Sequence, residues 1–152
     1  MRISRFLAIL AVSSALAGYA SWVMAERERE RQALPASSGA IPLLRRDDAE
    51  ALWRSGTAVF LDVRSQADYE QGHIAGALHF PEEEIEQRLP AVKPRLERAS
   101  ALVVYCGSEN CGKSLWAAIR LRHEGLTQVR IYPAGWNEWH RHGLPSSEGG
   151  AP

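Results

Sequence analysis

Three short apolar runs constrain the fold of this 152-residue chain more than any other feature. They are AVFLDV (58–63), ALVVYC (101–106) and VRIY (129–132), and each is flanked by residues that interrupt regular secondary structure. Runs of this length and composition predict buried strands. A helical pattern separates the last two runs, and apolar strands joined through a helix are typical of a parallel sheet. We therefore expect an α/β domain.

Helices are predicted around these strands from caps and apolar periodicity. The first begins at Asp47, which forms the Asp version of a capping box with Glu50, and it ends at Gly56. Another helix is terminated by Gly125. This helix covers residues 114–124, and two further helical patterns cover residues 82–89 and 135–142.

The N-terminal 40 residues differ from the rest of the chain. Residues 6–24 carry no charge and follow Arg2 and Arg5, a pattern expected of a membrane anchor or of a signal peptide cleaved after Ala25. We expect residues 1–25 to be that segment and residues 26–40 to be a linker. Either alternative places the protein in the bacterial cell envelope, anchored in the inner membrane and facing the periplasm, or periplasmic after cleavage. The domain is predicted at 41–146, with a flexible tail at 147–152.

Charge and cysteine content exclude some classes of function. Lys and Arg number 18, as do Asp and Glu, so the net charge of zero argues against a partner as anionic as a nucleic acid. The only two cysteines, Cys106 and Cys111, lie in one loop and cannot form a disulfide framework for the fold. His140 and His142 are two positions apart on a predicted helix and do not share a face. We expect neither a metal nor a cofactor.

The cysteine loop is the candidate site. Cys106 ends a predicted central strand, and ligands of open α/β sheets bind at the carboxyl ends of strands. The backbone N–H groups of the following loop, together with the helix N-terminus, can form an anion site that favours the nucleophilic thiolate. Lys113 adds positive charge, whereas Glu109 would repel anions if it pointed inward. The alternative is that Cys106 is a small buried apolar residue. The predicted substrate-binding loop consists of Gly107, Ser108, Glu109, Asn110, Cys111, Gly112 and Lys113.

Two longer motifs resemble a known family. FLDVRSQADYEQGHIAGALHFP (60–81) closely resembles the first signature of the rhodanese family, and residues 103–145, which include both cysteines and the later Gly-Trp pair, are similar to its second half. The resemblance implies a three-layer fold with a central parallel sheet and helices on both faces. It also implies a sulfurtransferase that carries a sulfane sulfur as a persulfide on Cys106.

The resemblance assigns further roles residue by residue. The partners would be a small sulfur-containing donor, such as thiosulfate, and a thiol or cyanide acceptor. Backbone N–H groups of residues 107–112 would hold the persulfide and the donor. Asp62 and Arg64 would support the strand end beneath the loop, and His73 would be a hydrogen-bonded turn residue.

The loop also departs from the family's usual pattern. A cation usually stands five positions after the cysteine, but Lys113 stands seven positions after Cys106, and Cys111 is an additional thiol, as in a variant branch with C-x4-C. Cys111 is therefore a candidate resolving thiol that can form a disulfide with Cys106 and release sulfide, or it packs as a small apolar residue. A thiol–disulfide redox protein and a non-catalytic binding domain remain alternative functions. A phosphatase with C-x5-R is disfavoured, because Gly112 occupies the arginine position.

Overall fold

A computed structural model describes residues 39–150 of the chain. Its helices are α1 (Arg46–Ser55), α2 (Gln66–Gln71), α3 (Ile85–Glu97), α4 (Lys113–His123) and α5 (Gly135–Arg141), with a 3-10 turn at Glu82–Glu84. Its strands are β1 (Val59–Asp62), β2 (His73–Ile74), β3 (Leu78–His79), β4 (Leu102–Tyr105), β5 (Val129–Tyr132) and β6 (Ser146–Ser147).

Four strands form a parallel sheet in the order β3-β1-β4-β5. The register aligns Asp62 with Tyr105 and Tyr105 with Tyr132, so the carboxyl ends of β1, β4 and β5 meet at one edge. The three strands predicted from apolar runs are confirmed. The two-residue edge strand β3 was not predicted, since so short a segment has no periodicity to read.

Alternate residues of β4 build two separate cores. Leu102 and Val104 pack in one apolar cluster with residues of α3 and α4, whereas Val103 and Tyr105 pack in another with residues of α1 and α5. All four side chains are fully buried. Because successive strand residues point to opposite faces, an uninterrupted apolar run requires cover on both sides. The expected three-layer arrangement is therefore confirmed.

The start of α1 corrects a prediction. The N-cap is Arg45, and it makes no side-chain cap hydrogen bond. Asp47 lies inside the first turn, where it forms an ion pair with Arg46 at 2.7 Å, and a carboxylate there interacts favourably with the helix dipole. The capping box is therefore absent. The predicted end at Gly56 is correct, since this glycine has the left-handed φ of +66° that often ends a helix.

The helix predicted over 82–89 is divided and longer. The 3-10 turn precedes α3, which continues through Pro90 and Pro94 to Glu97. Each proline lacks the N–H that an interior helical residue donates. Leu89 and Leu96 are buried in the core, and this packing outweighs the lost hydrogen bonds. The predicted helix ended too early because the prediction used local propensity alone. Tertiary contacts stabilise the helix beyond that point.

Both ends of the chain bear on the predicted domain organisation. The segment 6–24 lies outside the described residues, and within 39–150 no helix has the length and apolar character needed to cross a membrane. The segment predicted as a tail, 147–152, makes backbone contacts with the domain in its described part. Ser147 pairs with His73 in an antiparallel ladder, and the Gly149 N–H donates to the Glu70 carbonyl oxygen at 2.8 Å.

Candidate active site

Cys106 follows β4 directly and lies at the middle of the sheet edge, between the ends of β1 and β5. Its Sγ is bonded to Sγ of Cys111 at 2.02 Å, with the two Cα atoms 6.3 Å apart. Cys106 is only 4% exposed, whereas Cys111 is half-buried. The two sulfurs are therefore within bonding reach in one loop, and the later residue of the pair is the more accessible one.

Helix α5 fixes the first part of the loop. The Trp136 N–H donates to the Cys106 carbonyl oxygen at 2.9 Å, and the Asn137 N–H donates to the Gly107 carbonyl oxygen at 3.0 Å. Gly135 has a φ of +58°, and a Cβ built on it would lie 2.1 Å from the Cys106 carbonyl oxygen. Only glycine allows this close approach.

Most N–H groups of the loop are not engaged by the protein, and two of them belong to residues that line the cleft, Gly107 and Ser108. The Cys111 N–H donates to the Ser108 carbonyl oxygen at 3.0 Å. Within the described part of the chain, the N–H groups of the other loop residues meet no protein acceptor (Gly107, Ser108, Glu109, Asn110 and Gly112). Free N–H groups at the start of the 11-residue helix α4 suit an anion.

The loop borders a cleft of about 650 Å³. Of the predicted loop residues, Cys106, Gly107, Ser108, Cys111 and Lys113 line it. Glu109 lines a different cavity of about 500 Å³ beside Arg45, Arg46 and Glu138, and it is not among the residues that line the cysteine cleft. Asn110 and Gly112 are not among the residues that line the cysteine cleft. The other cleft residues are Arg64, Ser65, Asp68, Gln71, Trp136, Asn137 and His140.

Asp62 and Arg64 form a buried ion pair beneath the loop. Arg64 Nη2 lies 2.6 Å from Asp62 Oδ2 and also donates to the Gly72 carbonyl oxygen at 2.6 Å. Burial by itself lowers the pKa of Arg64, but the hydrogen bond and charge of Asp62 outweigh it and raise that pKa. The structure therefore places both residues where structural support was predicted, and it adds that Arg64 faces the cleft.

His73 is a packed residue of β2. Its Nδ1 lies 2.8 Å from the Tyr69 carbonyl oxygen, and its ring stacks on Tyr69 with centroids 3.7 Å apart. It is 3% exposed and does not line the cleft. This geometry agrees with a hydrogen-bonded structural role.

Lys113 is the first residue of α4 and lies at the cleft, but its charge is paired. Lys113 Nζ lies 2.9 Å from Glu83 Oε1, in the 3-10 turn. The hydrogen bond that Lys113 donates to Glu83 raises the pKa of Lys113, and the same contact lowers the pKa of Glu83. The sequence indicated the lysine as an anion-binding cation and gave no signal for its acidic partner.

Sequence reasoning missed the part of the cleft wall that Trp136 forms. Trp136 packs against the core cluster beneath α1 and α5, and it also lines the cleft, with the Arg64 guanidinium 5.2 Å from its ring centroid and the His140 ring 4.9 Å away. A Cβ on Gly72 would lie 2.8 Å from the indole. The sequence signal for this wall was the position of Gly135-Trp136 just after β5, since that strand ends at the same sheet edge as β4.

Within residues 39–150, no group of three or more His, Cys, Asp or Glu side chains is arranged to hold a metal.

Fold and site define an α/β domain that presents a cysteine loop at the carboxyl edge of a parallel sheet. The profile of the family Rhodanese-like domain matches residues 46–142, and the chain belongs to this family. This confirms the resemblance carried by the two motifs.

Known proteins with similar domains are functionally diverse. The chain is 33% identical over 107 residues to an HTH-type transcriptional regulator of Mycobacterium tuberculosis, covering 70% of this chain and 42% of the regulator. It is 34% identical over 110 residues to a tRNA uridine(34) hydroxylase of Salmonella paratyphi B, covering 67% of this chain and 30% of the hydroxylase. The chain thus spans less than half the length of these relatives.

A solved structure shows the same fold. The thiosulfate sulfurtransferase of Pseudomonas aeruginosa superposes with a TM-score of 0.60 at 23% identity, covering 72% of this chain and 20% of that one. At this identity the similarity establishes the fold alone.

Proposed function

We propose that this protein is a sulfurtransferase that moves a sulfane sulfur from a thiosulfate-type donor, through a persulfide on Cys106, to a thiol or cyanide. The observation that carries the proposal is the placement of Cys106 at the end of the central strand, beside a cleft and a loop of N–H groups without protein acceptors. The fold shared with a thiosulfate sulfurtransferase supports it.

The reaction begins from the reduced loop. The Cys106 thiolate attacks the outer sulfur of the donor, the donor's S–S bond breaks, and with thiosulfate the bonding pair leaves on sulfite. An acceptor thiolate or cyanide then attacks the terminal sulfur of the persulfide, and Cys106 leaves as a thiolate. The loop N–H groups stabilise the negative charge at Cys106 in each step.

Substitution of each cysteine tests this assignment. Reduced wild type, Cys106→Ser and Cys111→Ser would each receive thiosulfate or mercaptopyruvate, followed by intact mass measurement. We expect Cys111→Ser to become one sulfur heavier and Cys106→Ser to remain unchanged, because Cys106 is the carrier. A persulfide on Cys106→Ser but none on Cys111→Ser would show that Cys111 is the nucleophile instead.

A second function, thiol–disulfide exchange with another protein, is favoured by the Cys106–Cys111 disulfide itself. The two functions differ in what they consume. A sulfurtransferase needs a sulfane sulfur donor, whereas an exchange protein needs only a dithiol or disulfide substrate. Oxidation of a reduced substrate by the disulfide form, with no sulfur donor active in the mass experiment, would establish the second function in place of the first.

We also propose that the domain works in the bacterial cell envelope, on the basis of the charge-free segment 6–24 after Arg2 and Arg5. Fractionation combined with N-terminal sequencing of the mature protein tests this location. A membrane-bound protein with its original N-terminus supports an anchor, and a periplasmic protein beginning at Glu26 supports cleavage. Recovery from the cytoplasm with an intact N-terminus would refute both.

A further inference from the structure

The two cysteines are placed for reaction with each other inside one anchored loop. Their Cα separation of 6.3 Å lies within the range that a disulfide allows. The backbone at Cys106 and Gly107 is held by N–H groups of α5, and the Cys111 N–H is held by Ser108. The resolving thiol therefore needs no second domain and no second protein to reach the carrier.

We propose that Cys111 converts the persulfide on Cys106 into free sulfide, which makes the protein a sulfane-sulfur reductase; this inference rests on the proposed persulfide chemistry. The Cys111 thiolate attacks Sγ of Cys106, the Cys106–Cys111 bond forms, and the bond from Sγ to the sulfane sulfur breaks. The sulfane sulfur leaves with the bonding pair as hydrosulfide. The two cysteine sulfurs together lose two electrons, and the sulfane sulfur gains them.

The burial of the two sulfurs determines where the next reductant reacts. Both cysteines line the cleft, but Cys106 is only 4% exposed, whereas Cys111 is half-buried and therefore more accessible. An external dithiol therefore attacks Sγ of Cys111 and forms a mixed disulfide there. Cys106 leaves as a thiolate beside the unpaired N–H groups of the loop, which stabilise it. The second thiol of the reductant then attacks its own mixed-disulfide sulfur and releases Cys111.

This order of events restores the carrier first. Cys106 is already a thiolate while the reductant is still attached to Cys111, so the nucleophile is ready for the next donor once the reductant leaves. Over one cycle, a dithiol and a sulfane sulfur become a disulfide and sulfide. The class of partner required is a dithiol reductant, and the product is sulfide rather than a transferred sulfane sulfur.

A single-turnover experiment without external thiol tests the release of sulfide. Reduced wild type, Cys111→Ser, Cys111→Ala and Cys106→Ser are freed of reductant and given thiosulfate or, to bypass donor selectivity, an equimolar amount of inorganic tetrasulfide. Wild type should become two hydrogens lighter with either probe, and with thiosulfate it should also release equimolar sulfide. Both Cys111 variants should keep the added sulfur, and with thiosulfate they should release no sulfide; with tetrasulfide, which can lose hydrosulfide during loading itself, the protein mass is the measurement. The use of two variants guards against a folding defect in one.

The outcomes separate this inference from the proposed function. A stable persulfide on wild type, with no sulfide, would overturn the inference while leaving sulfur transfer intact. If the Cys111 variants load from tetrasulfide but not from thiosulfate, the thiosulfate donor is wrong, and the inference is then decided by whether tetrasulfide-treated wild type becomes two hydrogens lighter. If the Cys111 variants load from neither probe, Cys106 carries no persulfide and both proposals fall.

The entry site of the reductant is tested by its adduct. Oxidised wild type is mixed with excess glutathione, quenched with acid within the first turnover, and digested for peptide mass mapping. The glutathione adduct is expected on Cys111, with Cys106 as the free thiol. An adduct predominantly on Cys106 would overturn the assigned direction of attack.

Discussion

Gly135 contacts the backbone of Cys106 so closely that a Cβ at Gly135 would lie 2.1 Å from the Cys106 carbonyl oxygen. The first turn of α5 is thereby pressed against the end of β4, and its N–H groups hold the loop carbonyls. The geometry of the candidate nucleophile thus depends on a residue 29 positions later in the chain.

Gly135→Ala should destabilise the protein and impair persulfide formation. The left-handed φ of +58° alone costs a non-glycine residue about 1–3 kcal/mol, and the contact with Cys106 adds to it by displacing the loop. Urea unfolding and persulfide yield are the measurements. Gly143→Ala is the matched control, because Gly143 has a φ of +64° with no atom within 4 Å of the added Cβ. Equal losses in the two variants would show that the contact with Cys106 is unimportant.

Arg64→Ala should lower the free energy of unfolding by about 3–5 kcal/mol, since it leaves the fully buried Asp62 carboxylate without its partner. Urea unfolding measures the change. Arg54→Ala, which removes an arginine paired with Glu50 on the surface of α1, should change stability by less than about 1 kcal/mol. A similar small effect of Arg64→Ala would mean that Asp62 is solvated or otherwise satisfied when Arg64 is absent.

Glu83→Gln should strengthen the binding of an anionic donor several-fold, because it releases Lys113 from its ion pair at the cleft. Thiosulfate binding can be measured by calorimetry in a Cys106→Ser background, where no transfer occurs. The gain should shrink as salt is added. Glu86→Gln is the control, since Glu86 pairs with Arg120 and not with Lys113. Equal affinities of the Glu83→Gln and Glu86→Gln variants would show that the paired charge of Lys113 plays no part.

The same ion pair predicts a direction of pH dependence. The hydrogen bond from Lys113 lowers the pKa of Glu83 below its ordinary value of 4.5, so the folded state holds this carboxylate charged to lower pH than the unfolded chain does. The ion pair therefore stabilises the folded state fully above pH 4.5, the ordinary pKa of the carboxyl group. This stabilisation is lost as the pH falls through the lowered pKa of Glu83. The difference in urea midpoint between wild type and Glu83→Gln should therefore decrease in acid. A constant difference would contradict the pairing.

Formation of the disulfide should raise the free energy of unfolding by about 2 kcal/mol, the amount expected for closing so short a loop. Urea unfolding of oxidised and reduced wild type measures it. Cys111→Ser should unfold identically with and without reductant. No difference between the two forms of wild type would indicate that the closed loop is strained enough to cancel the gain.

The sequence was sufficient for three of the four strands of the parallel sheet and for the position of the cysteine loop. AVFLDV, ALVVYC and VRIY are apolar on both faces, and only a covered parallel sheet buries such runs. Cys106 follows one of them and precedes an amphipathic helix, which places it at the carboxyl edge without further information. These properties are local in sequence, and each depends on a pattern within about 20 residues.

Only the tertiary structure decided what surrounds the cysteine. The pairing of Lys113 with Glu83 joins residues 30 positions apart, and the Trp136 wall and the Gly135 contact come from a helix beyond the next strand. α3 likewise continues through Pro90 and Pro94 because Leu89 and Leu96 are buried against the sheet. Sequence patterns report the preferences of neighbouring residues, whereas charge neutralisation, close backbone approach and burial depend on which distant segments the fold brings together.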